Sequence, residues 1–300
     1  MFYWLITIII AYFFFSLAYL GDKLVLTSAP KPVSYTFYVG ILNILTIFLL
    51  PFVSLGTPSA LQFFWIILDA IIYIAGLYAM FVALEKFEVS TVMTTIGAIQ
   101  PVFILFLTWF IWGFKAMSGL EMLAFLLLLA GTIIISFKKS ASATKDYLKV
   151  AVLAAALFSL DYILQKVVFT GMPFWQGFVW IRIFCFLFSL VFLLRRSWRK
   201  EIFQKKTIGN KKTQAIFFFT QSSGGLANLL QSLAIFLVPA GFLPIINSLR
   251  GIQYVFLFLM TLFFTFFFPK ILKEEISKKA VVQKIVSIIL IVAGLALLVF

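Results

Sequence analysis

Phe158 to Thr170 reads FSLDYILQKVVFT, and Phe15 to Thr27 reads FSLAYLGDKLVLT. Aligned without a gap, the two stretches share Phe, Ser, Leu, Tyr, Lys, Val and Thr, seven of thirteen positions. Each stands near the start of one half of a 300-residue chain. Each half reads as five hydrophobic helices. The repeat continues in order. Ile99-Gln100 matches Ile252-Gln253, each followed after one residue by Val-Phe, and Ala130-Gly131 matches Ala293-Gly294. The offset between the copies grows from 143 to 153 to 163, as longer loops in the second half require.

Composition sets the solvent. The chain is 64% hydrophobic and 11% charged, whereas soluble domains carry about 45–50% apolar and about 25% charged residues. A helix of ~20 apolar residues crosses the ~30 Å hydrocarbon core. Ten spans are predicted, at 2–24, 33–54, 60–84, 89–112, 118–137, 147–169, 174–194, 215–238, 240–268 and 279–300. The breaks fall at proline, glycine and charged clusters. The predicted fold is therefore all-α and integral to the membrane, with ten transmembrane helices. They divide into a first repeat (1–137, spans one to five), a linker (138–146, KKSASATKD) and a second repeat (147–300, spans six to ten). An odd number of spans per repeat inverts the second repeat relative to the first. The polar connector RRSWRKEIFQKKTIGNKKTQ (195–214) lies within the second repeat and is predicted to be mobile.

Several chemistries lack their residues. There is no His and one Cys, Cys185 in an apolar run, so no metal-ligand cluster and no disulfide is expected. No nucleophile–base pair or phosphate-binding glycine loop points to an enzyme, and no cofactor is expected. The net charge of +14 sits in short loops, where it sets topology rather than binding nucleic acid. The loops after odd-numbered spans hold 20 of the 24 Lys and Arg. The positive-inside rule places those loops in the cytoplasm and both termini outside. Lys23 and Lys166, near helix ends, read as snorkelling side chains.

Asp69, Asp161, Arg182 and Arg250 lie well inside spans three, six, seven and nine. Counted from the side that bears the termini, all four are roughly 12–15 Å deep, near the midplane. Each costs at least ~2.5 kcal/mol to insert, so each is expected to face the bundle interior or water. Asn228 and Gln231 share a face of span eight. Gln100 precedes Pro101 in span four, and Tyr19 and Tyr162 can add hydroxyls or aromatic walls. These nine residues are the candidate substrate contacts. The arginines suit a carboxylate or phosphate, and an Asp suits an ammonium. Asp161 and Asp69 are also candidates for carrying a coupling proton, because burial disfavours a charged carboxyl. The alternative is a structural ion pair that only satisfies burial and locks helices together. Gln100, Asn228 and Gln231 can equally act as glue between helices.

Ten spans, two five-helix repeats and an FSLxYxxxK element opening each repeat resemble the drug/metabolite transporter superfamily, most closely its EamA-type members. The resemblance covers essentially the whole chain. It implies inverted repeats around a central cavity lined by spans one to four and six to nine, with five and ten peripheral. It implies secondary active transport by alternating access, with export of a small charged or zwitterionic metabolite, in many members coupled to protons. A sugar-phosphate or nucleotide-sugar exchanger is the alternative within the superfamily, and a non-transporting scaffold the alternative outside it. The implied partners are a small-molecule substrate, the bilayer and a proton, and the implied location is the cell (plasma or inner) membrane. Two departures stand out. EamA-type members keep both termini in the cytoplasm, whereas the loop charges here put them outside. Span one also carries Ala18 where span six carries Asp161.

Overall fold

The computed structural model describes residues 3–25, 31–86, 89–114, 117–136, 145–203, 211–267 and 278–299. Among them the regular structure is helical throughout, with no strand. The helices are α1 (Tyr3–Val25), α2 (Pro32–Leu42), α3 (Ala60–Lys86), α4 (Val89–Trp112), α5 (Gly119–Ser136) and α6 (Lys145–Gly171). They continue as α7 (Phe174–Ser189), α8 (Arg196–Ile202), α9 (Lys211–Leu237), α10 (Leu243–Ser248), α11 (Arg250–Phe267) and α12 (Lys278–Val299). The predicted span boundaries agree with these to within a few residues.

Seven stretches are long and apolar enough to cross a membrane: Tyr3–Gly21, Pro32–Phe52, Ala60–Glu85, Thr95–Trp112, Lys149–Gly171, Phe174–Leu193 and Ala240–Phe264. The chain is thus a multi-pass membrane protein. Three predicted spans fall outside that set. Gly119–Ile135 and Val282–Leu298 are apolar over the part whose side chains are described, within helices of 18 and 22 residues. The 27-residue α9 is ~40 Å long, but Thr220, Gln221, Ser222, Ser223, Asn228, Gln231 and Ser232 dilute its apolar content.

Three spans are not single α-helices. The second continues from α2 into a 3₁₀ helix over Asn43–Phe52, far longer than the 3–4 residues usual for that geometry. Asn43 supports the change by donating its amide to Val39 O and Gly40 O, both at 3.1 Å. At ~2.0 Å per residue the 3₁₀ stretch also lengthens the crossing by ~5 Å over an α-helix. The seventh span ends in a 3₁₀ turn, Leu190–Leu193. The ninth begins with a 3₁₀ turn after Pro239 and is interrupted at Leu249, between α10 and α11. Part of the connector at 195–214 is regular structure, and 204–210 lies outside the described residues. Its first part forms α8, and Ile202 there is 1% exposed. Most of the 138–146 linker lies outside the described residues. So do Lys115, Lys138, Lys139, Lys205, Lys206, Lys270 and Lys273, and the side chain of Lys23.

The chain forms two compact units, and each draws on both halves of the sequence. Unit 1 is Met1–Thr27, Thr108–Lys139 and Asn210–Phe300, and unit 2 is Ser28–Leu107 and Ser140–Gly209.

Within unit 1, α1 packs along α9 and against α11, and α5 packs along α12. Close approach of α1 and α9 depends on Gly21, where a Cβ would collide with Thr220 Oγ1. Ser16 Oγ lies 2.6 Å from Tyr12 O and 2.9 Å from Gln253 O, sharing its one proton between them. Both carbonyls flanking Asn247 at the ninth-span interruption are capped by side chains. Tyr12 donates to Ile246 O and Thr132 to Ser248 O, each at 2.7 Å.

Within unit 2, α3 packs along α6 and also against α2 and α7. Gly76 sets the α3–α6 approach, with a Cβ there meeting Phe158 at 3.2 Å. Ser159 Oγ lies 2.7 Å from Ala155 O and 3.2 Å from Gln100 O. Ser16 and Ser159 are matched positions of the repeat, as are Gln253 and Gln100, so the same serine reaches the same carbonyl in each unit.

The α5–α12 contact is reciprocal. A Cβ on Gly131 would stand 2.7 Å from Ile291 Cγ1 and 3.0 Å from Ser287 O. A Cβ on Gly294 would stand 2.7 Å from Leu128 Cγ and 3.1 Å from Ala124 O. At the offset of 163, Ile291 matches Leu128 and Ser287 matches Ala124. Overpacking such a crossing costs about 1–3 kcal/mol. Gly131→Ala and Gly294→Ala are therefore expected to lower thermal stability by equal amounts. The double variant should lose less than the sum, since one helix shift relieves both clashes. A large loss from one and none from the other would show that the contact is not reciprocal.

Candidate functional site

Unit 2 gathers three of the four intramembrane charges. Asp69 comes from α3, Asp161 from α6 and Arg182 from α7, and all are buried, at 0%, 4% and 4% exposure. Asp69 and Asp161 each sit within electrostatic range of Arg182. The two carboxyls also lie within interaction range of each other.

The three side chains are held differently. Arg182 is held by protein: Nη1 donates to Asn43 Oδ1 at 3.4 Å, and its Cζ lies 5.3 Å from the Tyr73 ring centre and 5.0 Å from that of Phe178. Asp161 Oδ2 accepts a 3.0 Å hydrogen bond from Gln165 Nε2. Neither oxygen of Asp69 receives a hydrogen bond from a donor group among the described residues, and neither does Asp161 Oδ1. With both acids ionised, the cluster holds two negative charges and one positive.

Three supporting residues follow from helical spacing. Tyr73 is four residues after Asp69, Gln165 four after Asp161 and Phe178 four before Arg182. Side chains at that separation share a face, so each could have been found from its charged neighbour. Asn43 could not, since it comes from another span and acts at the α-to-3₁₀ change. Gln100 and Tyr162, both 1% exposed, are also in unit 2, and Gln100 meets α6 through its backbone carbonyl. Lys166 is 9% exposed rather than extended to solvent. Its helix runs on to Gly171, which leaves it short of the end.

The remaining candidates belong to unit 1. Arg250 opens α11 and is half-buried, as are Tyr19 and Asn228. Asn228 donates to Gly224 O at 3.1 Å, one turn back. Gln231 is 7% exposed, and its Oε1 accepts no hydrogen bond among the described residues. A further polar residue escaped the sequence reading. Asn247, at the end of α10, is 0% exposed, with both amide atoms lacking partners among the described residues. Such a group costs about 1–3 kcal/mol. Its signal was an Asn-Ser pair following Pro244 inside an apolar run.

The fold and these buried charges define a polytopic α-helical membrane protein with a polar cluster inside one helical unit. The chain matches no family model and no curated protein sequence. Among solved structures, one crystal structure described only as that of a protein is similar over 98% of this chain and 95% of its own, with a TM-score of 0.68 and 16% sequence identity. At that identity the likeness is one of fold.

Proposed function

We propose that this chain is a secondary active transporter resembling the EamA type. In this reading ten spans form two inverted five-span repeats and work by alternating access. The matched Ser16–Gln253 and Ser159–Gln100 contacts and the reciprocal Gly131/Gly294 crossing support the repeat.

The observation that carries the functional reading is the charge imbalance of the Asp69–Asp161–Arg182 cluster. Arg182 contacts Asn43 and two ring faces, and two carboxyls stand against its single charge, so the group in surplus is a carboxyl. One proton or one ammonium group balances it. That is the arrangement a proton-coupled exporter of an amino, zwitterionic or cationic solute needs, with proton and solute alternating on the same carboxyl pair. A sugar phosphate would add negative charge to a cluster that already holds two carboxyls against one guanidinium. Arg250, Asn228, Gln231 and Tyr19 remain candidate solute contacts on unit 1, each to be tested separately.

A thermal-shift screen of the purified protein tests the reading. The compounds are amino acids, alkyl amines, sugar phosphates and nucleotide sugars. A ligand at a hundred times its Kd stabilises by about 2.7 kcal/mol. Stabilisation by an ammonium-bearing class, lost in Asp69→Asn, is the expected result. Stabilisation by sugar phosphates alone, unchanged in Asp69→Asn, would replace the reading with that of an exchanger.

A further inference from the structure

The segment following the seventh span carries a feature that transport chemistry does not use. Four cations, Arg195, Arg196, Arg199 and Lys200, are exposed on and beside α8. Two large apolar residues bracket them, Leu194 at 80% and Phe203 at 67% exposure. Cations bounded by exposed apolar side chains suit the boundary between headgroups and acyl chains.

The placement of α8 fits the same boundary. It starts where the seventh span ends and finishes against the beginning of α2. There Ser34 Oγ donates to Glu201 O at 2.9 Å and Tyr38 OH to Ile202 O at 2.9 Å. The Ser34 backbone N–H also faces Glu201 Oε1 at 3.4 Å. Seven residues of helix cover ~10 Å, about one interaxial distance between packed helices. The short helix therefore bridges the adjacent ends of two spans and runs along the membrane surface rather than away from it. Trp198 anchors it from beneath, 5.5 Å from the Phe192 ring, with Arg195 stacked on its face at 5.4 Å.

We propose that α8 is an anionic-lipid docking element. In this account the phosphates of acidic headgroups occupy the face formed by Arg195, Arg196, Arg199 and Lys200, Leu194 and Phe203 insert at the acyl boundary, and bound lipid clamps the seventh span to the start of the second. Juxtamembrane cations near an anionic leaflet each contribute about fivefold in partitioning.

The test uses full-length protein in mixed micelles doped with phosphatidylglycerol or, separately, phosphatidylcholine. At ten times its Kd, phosphatidylglycerol is expected to raise Tm by about 3 °C over phosphatidylcholine. The increment should vanish in R195Q/R196Q/R199Q/K200Q and persist in R195K/R196K/R199K. It should also shrink at about 0.5 M salt, where screening shortens the reach of each charge below ~5 Å. If the fourfold variant does not fold, R196Q/K200Q is expected to lose about half of the increment. The proposal is overturned if wild type shows no phosphatidylglycerol increment, or if the glutamine variants keep it in full. An equal increment from inorganic phosphate would likewise overturn it, since that would show a free-anion site.

Discussion

Arg182→Ala is expected to destabilise the protein by about 3–5 kcal/mol, the usual cost of leaving buried charge without its partner. Arg182 is 4% exposed and stands with two carboxyls, Asp69 and Asp161, in its field. Removing it leaves two acids facing each other in a low-dielectric interior and opens a void between Tyr73 and Phe178. It also removes the donor to Asn43 Oδ1 at the start of the 3₁₀ stretch, so loosening should reach the second span as well. Arg182→Ala/Asp69→Asn should recover more than half of the loss, because one acid is then gone. Thermal unfolding of the purified variants measures both. A loss below about 1 kcal/mol in Arg182→Ala would place the pair in the range of solvated surface ion pairs.

The second large effect concerns solute handling rather than stability. Asp69→Asn keeps the side-chain shape and removes the excess negative charge. A hydrogen bond to a charged group contributes about 1.5–3 kcal/mol, so an ammonium-bearing solute should bind about ten- to a hundredfold more weakly. Coupling should fail as well, because the amide exchanges no proton. Stability should hold or rise, since two acids and one base become one of each. Asp161→Asn should lose coupling too, with a stability cost that Asp69→Asn avoids, because Asp161 accepts from Gln165 within its own helix. Improved stability together with lost coupling separates a working carboxyl from a structural one, whose removal would only destabilise.

Much of this was legible in the sequence. Hydropathy located the helices, seven of them long and apolar enough to cross a membrane, because the bilayer demands runs of apolar residues whatever their partners. Depth counting put Asp69, Asp161 and Arg182 at one level, and they meet within one unit. Depth fixes only one coordinate, however, and azimuth decided that Arg250 belongs to the other unit. The repeat was readable from FSLxYxxxK and from Ile-Gln, but not that its serine reaches the carbonyl of its glutamine. That contact joins residues 59 and 237 positions apart, a separation that spacing rules do not reach. The interleaving of both halves in each unit was hidden for the same reason. Local backbone changes were also missed. The 3₁₀ stretch at Asn43–Phe52 and the interruption at Leu249 lie in largely apolar sequence that reads as plain helix, marked only by Asn43 and Pro51 and by Pro244 and the Asn247-Ser248 pair. The docking of α8 was masked by a run of charge that composition assigns to a solvated loop.

The central claim is that the acid pair exchanges a proton for an amino solute across the membrane. Its most direct measurement uses proteoliposomes loaded with a pH-sensitive dye, with a mixed pool of amino acids and alkyl amines added outside. Wild-type protein should produce solute-dependent proton movement that reverses when the imposed pH gradient is reversed, and Asp69→Asn should produce none. Solute-dependent proton movement of equal size in Asp69→Asn, or none in wild type while the solute still crosses, would contradict the account.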